Sequence, residues 1–154
     1  MKSVGHNPDG EIPRNADEAM TRLRRVPLPA TRARVLAVDA QHSFLEVLRD
    51  VLGRTDRLEW VGEADSGEMA IELAEQLEPD VVLLDVRMPG LGGIEAATQI
   101  KTRYPSMLVV LISTVHPDEL PEERRDSAAD AVIWKSELAP RLLDEIWLLH
   151  RTSG

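Results

Sequence analysis

The chain has no cysteine, which excludes disulfides and thiolate metal sites and agrees with a cytoplasmic setting. No apolar run approaches the roughly 18 residues of a membrane-spanning helix. The first residues, Met1-Lys2-Ser3-Val4-Gly5-His6, lack the hydrophobic segment of a secretion signal. Dense positive charge is missing too. The net charge is −9, and residues 1–34 hold seven Lys/Arg against four Asp/Glu, so the remainder carries −12. An acidic body argues against direct nucleic-acid binding, which draws on many Lys/Arg contacts to phosphates. Aromatic residues make up only 3% of the chain, and Trp60, Trp134 and Trp147 read as core or interface anchors. The four histidines lack metal-ligand spacing and read as surface residues.

What is present suits one globular domain: 154 residues, 43% apolar and 29% charged. Residues 1–32 read as a flexible extension. Its first 15 residues are polar and rich in Gly, Pro and Asn, Ala16 to Arg25 allows one short helix, and Pro27 and Pro29 break any continuation. Its basic cluster, Arg22-Leu23-Arg24-Arg25, reads as a solvated tether. The folded domain is expected over residues 33–151.

Within that domain apolar runs alternate with helical periodicities. Strands are expected at Val35–Val38, Leu58–Glu63, Val81–Leu84, Met107–Ile112 and Ala131–Trp134. A first helix carries Phe44, Leu45, Val47, Leu48, Val51 and Leu52, with Gly53 as its stop. A second is capped by Ser66 and carries Met69, Ala70, Leu73 and Leu77 on one side. A third runs from Ile94 to Tyr104, a charged fourth from Pro117 to Arg125, and an amphipathic fifth from Glu137 to His150 with Leu138, Leu142, Ile146 and Leu149. This alternation predicts an α/β fold: a flavodoxin-like, doubly wound, five-stranded parallel sheet of order 2-1-3-4-5 with five helices.

In such a sheet the carboxyl ends of the strands share one edge, where ligands bind. Asp39, Asp85, Ser113 and Lys135 end the first, third, fourth and fifth strands. Asp85 is the most informative of them, because it closes the apolar run Val81-Val82-Leu83-Leu84 and is followed by a Pro/Gly turn. A charge there is costly to bury, so it should face a crevice. Two carboxylates, a hydroxyl and an ammonium on one edge suit phosphoryl transfer to an aspartate, helped by a hard cation such as Mg²⁺.

The segments Val35-Leu36-Ala37-Val38-Asp39, Val82-Leu83-Leu84-Asp85-Val86-Arg87-Met88-Pro89-Gly90-Leu91-Gly92-Gly93, Val109-Val110-Leu111-Ile112-Ser113 and Ala129-Asp130-Ala131-Val132-Ile133-Trp134-Lys135 carry a resemblance. The chain resembles the receiver domain of two-component response regulators over about residues 33–150. The resemblance implies Asp85 as phosphoacceptor, Ser113 as switch hydroxyl and Lys135 as the cation contacting the phosphoryl group. It implies Mg²⁺ held by Asp39, Asp85 and the backbone carbonyl of Arg87. It further implies a sensor histidine kinase or phosphotransfer protein as donor and an output protein docking on the fourth helix, fifth strand and fifth helix. It leaves room for a homodimer and makes the chain a signalling protein rather than an enzyme. Ser136, where many receivers have Pro, is similar to the branch usually fused to a helix-turn-helix domain, which has no counterpart here.

Three positions depart from the family pattern. Ala40 stands where a second acid usually contacts the metal, Val132 where an aromatic switch residue is common, and Thr114 where a small residue is frequent. These open a second reading, a receiver-like interaction module with weak or no phosphorylation. An enzyme on the same fold fits worse. An aspartyl-phosphate phosphatase would want an acid at Arg87, and a flavodoxin would want a hydroxyl-rich loop at Ala40-Gln41-His42-Ser43.

Overall fold

The computed structural model describes residues 15–16, 32–119 and 127–153. The chain divides into units over 1–31 and 32–154, and the second contains the elements that follow. The expected helix Ala16–Arg25 and most of the N-terminal extension lie outside the described residues. No helix among the described residues is long and apolar enough to cross a membrane.

Five strands, β1 (Ala33–Val38), β2 (Leu58–Ala64), β3 (Val81–Asp85), β4 (Leu108–Ser113) and β5 (Ala131–Trp134), form one parallel sheet in the order β2-β1-β3-β4-β5. Four α-helices are described: α1 (His42–Gly53), α2 (Gly67–Leu77), α3 (Gly93–Arg103) and α4 (Pro140–Ser153). The flavodoxin-like order expected from the sequence is the one observed.

Strand alternation sorts the core into two layers, since successive side chains leave opposite faces of a sheet. Val35, Ala37, Leu83, Val110 and Ile112 pack against Leu45, Leu48 and Leu52 of α1 and Leu143 of α4. Leu36, Val38, Val82, Leu84, Val109 and Leu111 pack against α2 and α3, which present Ala70, Ala74, Ala96, Ala97 and Ile100. Those alanines let both helices lie close to the sheet. β3 and β4 are buried at every position, as central parallel strands must be.

Several local expectations are corrected. On α2 the buried residues are Gly67, Ala70 and Ala74, and Leu73 and Leu77 pack on the core as expected, while Met69 is 40% exposed. Ser66 does cap that helix, its Oγ accepting the Met69 N–H at 3.1 Å. The last helix begins at Pro140 rather than Glu137, because residues 135–137 first form a 3₁₀ turn and proline suits an opening helical position. Leu138 therefore precedes the helix yet still packs on the core, whereas Leu149, expected on the apolar side, is 66% exposed. The expected helix from Pro117 to Arg125 is described only as a 3₁₀ turn, Pro117–Glu119, with residues 120–126 outside the description.

Candidate functional site

Register alone brings the candidate residues to one edge. Val38 pairs with Leu84, so Asp39 and Asp85 each lie one step past that pair. Ser113 pairs with Trp134, which sets Lys135 one step further. The pleat then decides which way each side chain leaves. Asp39, Asp85 and Lys135 continue the rows of Ala37, Leu83 and Ile133, all in the layer shared with α1 and α4. Ser113 continues the row of Leu111, in the opposite layer.

Three of the four groups meet accordingly. Lys135 Nζ donates to Asp39 Oδ2 at 3.0 Å and lies 3.8 Å from Asp85 Oδ2. Asp39 is 1% exposed and Asp85 8%, so one ammonium serves two buried carboxylates. The Gln41 N–H donates to Asp39 Oδ1 at 2.8 Å and fixes that carboxylate from its other side. Ser113, although buried on the same edge, is turned away: its Oγ donates to the Val115 carbonyl at 2.7 Å and accepts the Val115 N–H at 3.0 Å. Arg87 is exposed in the loop after β3 and directs its backbone N–H toward the Asp85 carboxylate.

Burial pushes the Asp85 carboxyl above its ordinary value, and the neighbouring Asp39 charge adds to the rise. Lys135 and the backbone N–H groups of Arg87 and Val86 oppose it without cancelling it. A carboxyl whose folded pKa is raised holds its proton more tightly when folded than when unfolded, so its ionisation lowers stability. That loss is absent below the unfolded value of 3.8 and develops as the pH rises through the folded pKa. Asp85→Asn should accordingly melt a few degrees higher than the parent near neutral pH, at about 2–4 °C per kcal/mol in a chain of this size. The gain should vanish as the pH falls toward 3.8. Thermal unfolding across that range checks it; a lower melting point near neutrality would mean that Lys135 outweighs burial and Asp39 together.

The Pro/Gly turn expected behind Asp85 is present, and a helix contact holds it. Gly90 and Gly92 have φ of +76° and +80°, values open to glycine at little cost. Glu68, in the first turn of α2, accepts the Leu91 N–H at 3.1 Å and ties that loop to a neighbouring helix. Gly93 opens α3, where an added Cβ would overlap the Asp85 carbonyl oxygen and sit 2.9 Å from its carbonyl carbon. Sequence pattern marks neither Glu68 nor Phe44 for the site, yet Lys135 Nζ lies 3.9 Å from the Phe44 ring centroid. The Glu68 and Phe44 contacts have no signature in sequence spacing, since each joins elements far apart in the chain.

A cleft of about 280 Å³ adjoins Asp39, lined also by Ala40, His42, Glu63 and Asp65 among others. Among the described residues no cluster of three or more His, Asp or Glu is arranged to hold a metal. The donors at the edge are instead the two carboxylates of Asp39 and Asp85. That set suits Mg²⁺, which takes one or two carboxylates and keeps several waters. Ala40 adds no donor.

At the exit of β4, Trp134 Nε1 donates to the Thr114 carbonyl at 3.1 Å, and the His116 ring meets the Trp134 ring edge-on at 5.1 Å. Trp60 and Trp147 pack against the core layer of α1 and α4, as expected of anchors.

Residues 35–146 match the family model of the response regulator receiver domain. The chain is 34% identical over 116 residues to Response regulator GacA of Pseudomonas viridiflava, covering 75% of this chain and 54% of that protein. It is 40% identical over 90 residues to a protein-glutamate methylesterase/protein-glutamine glutaminase of Pyrococcus abyssi, covering 58% of this chain and 24% of that protein. The chain thus spans about half the length, or less, of these curated relatives. Among solved structures, the response regulator domain of Thermotoga maritima CheB superposes with a TM-score of 0.68 at 31% identity, covering 78% of this chain and 97% of that one. The signal receiver domain of NarL from Mycobacterium tuberculosis gives 0.67 at 29% identity, covering 77% and 94%.

Proposed function

From the premise that this chain belongs to the response regulator receiver family of two-component signalling, we propose that Asp85 accepts a phosphoryl group from a phosphohistidine of a sensor kinase or phosphotransfer protein. One observation carries the proposal. Asp85 is a buried strand-end carboxylate with an ammonium 3.8 Å away and Asp39 on the same edge. An Asp85 oxygen bonds to phosphorus as the bond from phosphorus to the histidine nitrogen breaks, and the imidazole leaves. Asp39, Asp85 and the Arg87 carbonyl would hold Mg²⁺, which neutralises charge on the oxygens of both reactants. Lys135 already lies beside the carboxylate that receives the group and needs little movement to contact it.

Ser113 acts as the switch hydroxyl in this reading. To reach a phosphoryl oxygen it must release both bonds to Val115, which shifts the segment at Thr114. Trp134 is bonded to that same segment, so the shift is felt on β5. Output then passes to a protein partner through β5, α4 and the segment beginning at Pro117. In this reading the domain works in the cytoplasm as a switch, its own chemistry being the gain and loss of that phosphoryl group.

The test is incubation with acetyl phosphate and Mg²⁺, followed by intact mass measurement. A single phosphoryl adduct is expected on the parent chain and none on Asp85→Asn. A second reading is favoured by Ala40 and by the turned-away Ser113: an interaction module that signals without phosphate. Absence of an adduct with both acetyl phosphate and a panel of phosphorylated kinases would select it.

A further inference from the structure

We propose that Phe44 is a positioning residue for the Lys135 ammonium, holding it over the two carboxylates through the face of its ring. The inference deepens the functional reading above and rests on it for the consequence, though not for the contact. Lys135 Nζ has three close partners: Asp39 Oδ2 at 3.0 Å, Asp85 Oδ2 at 3.8 Å and the Phe44 ring centroid at 3.9 Å. Its side chain is only 14% exposed.

An aromatic face carries partial negative charge and attracts a cation at this range. A ring on one side also excludes water from that side of the ammonium, which strengthens its attraction to the carboxylates. A lysine stem has four rotatable bonds, so without a wall its charged end would sample many positions. Phe44 supplies that wall from a fixed base. It lies in the first turn of α1, its N–H donates to the Gln41 carbonyl at 3.0 Å, and its ring packs on the core layer of α1 and α4. The same short segment, Asp39 to Phe44, thus provides an anionic and an aromatic partner for one lysine. Two carboxylates compete for that ammonium, and a ring fixing its place decides how far it can follow either.

A purely structural Phe44 would fill space and nothing more, and two substitutions separate the cases. Phe44→Leu keeps an apolar side chain and loses the ring; Phe44→Tyr keeps the ring face. The first readout is the NMR shift of the Lys135 ε-methylene protons. A ring-current upfield shift is expected in the parent and in Phe44→Tyr, and its loss in Phe44→Leu. The second is the rate of labelling by acetyl phosphate, expected to fall about threefold to thirtyfold in Phe44→Leu, the range of a cation–π contact, and to recover in Phe44→Tyr. Melting points of all three proteins show whether the fold is intact. Lack of a ring-current shift in the parent overturns the proposal, as does a full labelling rate in Phe44→Leu or failure of Phe44→Tyr to restore it. Should the parent itself take no phosphoryl group, the functional reading fails while the ring-current comparison still decides the contact.

Discussion

Gly93→Ala is expected to be the most damaging glycine-to-alanine change among the described residues, lowering unfolding free energy by about 3 kcal/mol. A Cβ at this position would overlap the Asp85 carbonyl oxygen and crowd Val86 Cα at 3.1 Å. Backbone cannot rotate aside as a long side chain can, so either the start of α3 or the end of β3 must move. Movement of β3 displaces Asp85 itself, and labelling by acetyl phosphate should fall with stability. The Gly93 N–H also donates to the Val86 carbonyl at 3.2 Å, so the same shift strains that bond. Gly53→Ala is the contrasting control. Nothing lies within 4 Å of its added Cβ, and alanine should stabilise this helical position by about 0.5–1 kcal/mol. Urea unfolding of the two variants should give midpoints on opposite sides of the parent. Equal midpoints would mean that the approach of α3 to β3 relaxes at no cost.

Lys135→Met should cost nearly as much, about 3 kcal/mol near neutral pH, and for an electrostatic reason. It leaves Asp39 and Asp85 buried on one edge without the ammonium both now face. Removing that cation raises the Asp85 carboxyl pKa in the folded state further above its unfolded value. The deficit is therefore absent in acid, where the Asp85 carboxyl is protonated in both states, and grows as the pH rises. Unfolding curves at several pH values should diverge from the parent above the ordinary carboxylate range and converge below it. Millimolar Mg²⁺ should restore more stability to the variant than to the parent, because a cation that binds only the folded form stabilises it by mass action. A deficit independent of pH would assign Lys135 a packing role only.

The order of elements was legible because each strand is a short apolar run and each helix has its own periodicity. β3, Val81–Asp85, is bounded by Asp80 and the Met-Pro-Gly turn, so even its last residue was readable as a strand end. Sequence pattern places the start of the final helix three residues too early, since Glu137 and Leu138 fit a helical pattern while the chain after β5 makes a 3₁₀ turn first. Met69 and Leu149 belong to the apolar stripes of their helices and are nonetheless exposed, for a related reason. Periodicity finds an apolar stripe, but which edge of it meets the sheet depends on the helix's rotation.

At the site, sequence determined that Asp39, Asp85, Ser113 and Lys135 would share one edge, because parallel strands align their carboxyl ends. Tertiary structure alone decided that three of them meet and the fourth faces Val115, since strand register and pleat set side-chain direction. It alone decided that Phe44 and Glu68 belong to the same apparatus, through approaches between distant elements that local pattern does not encode.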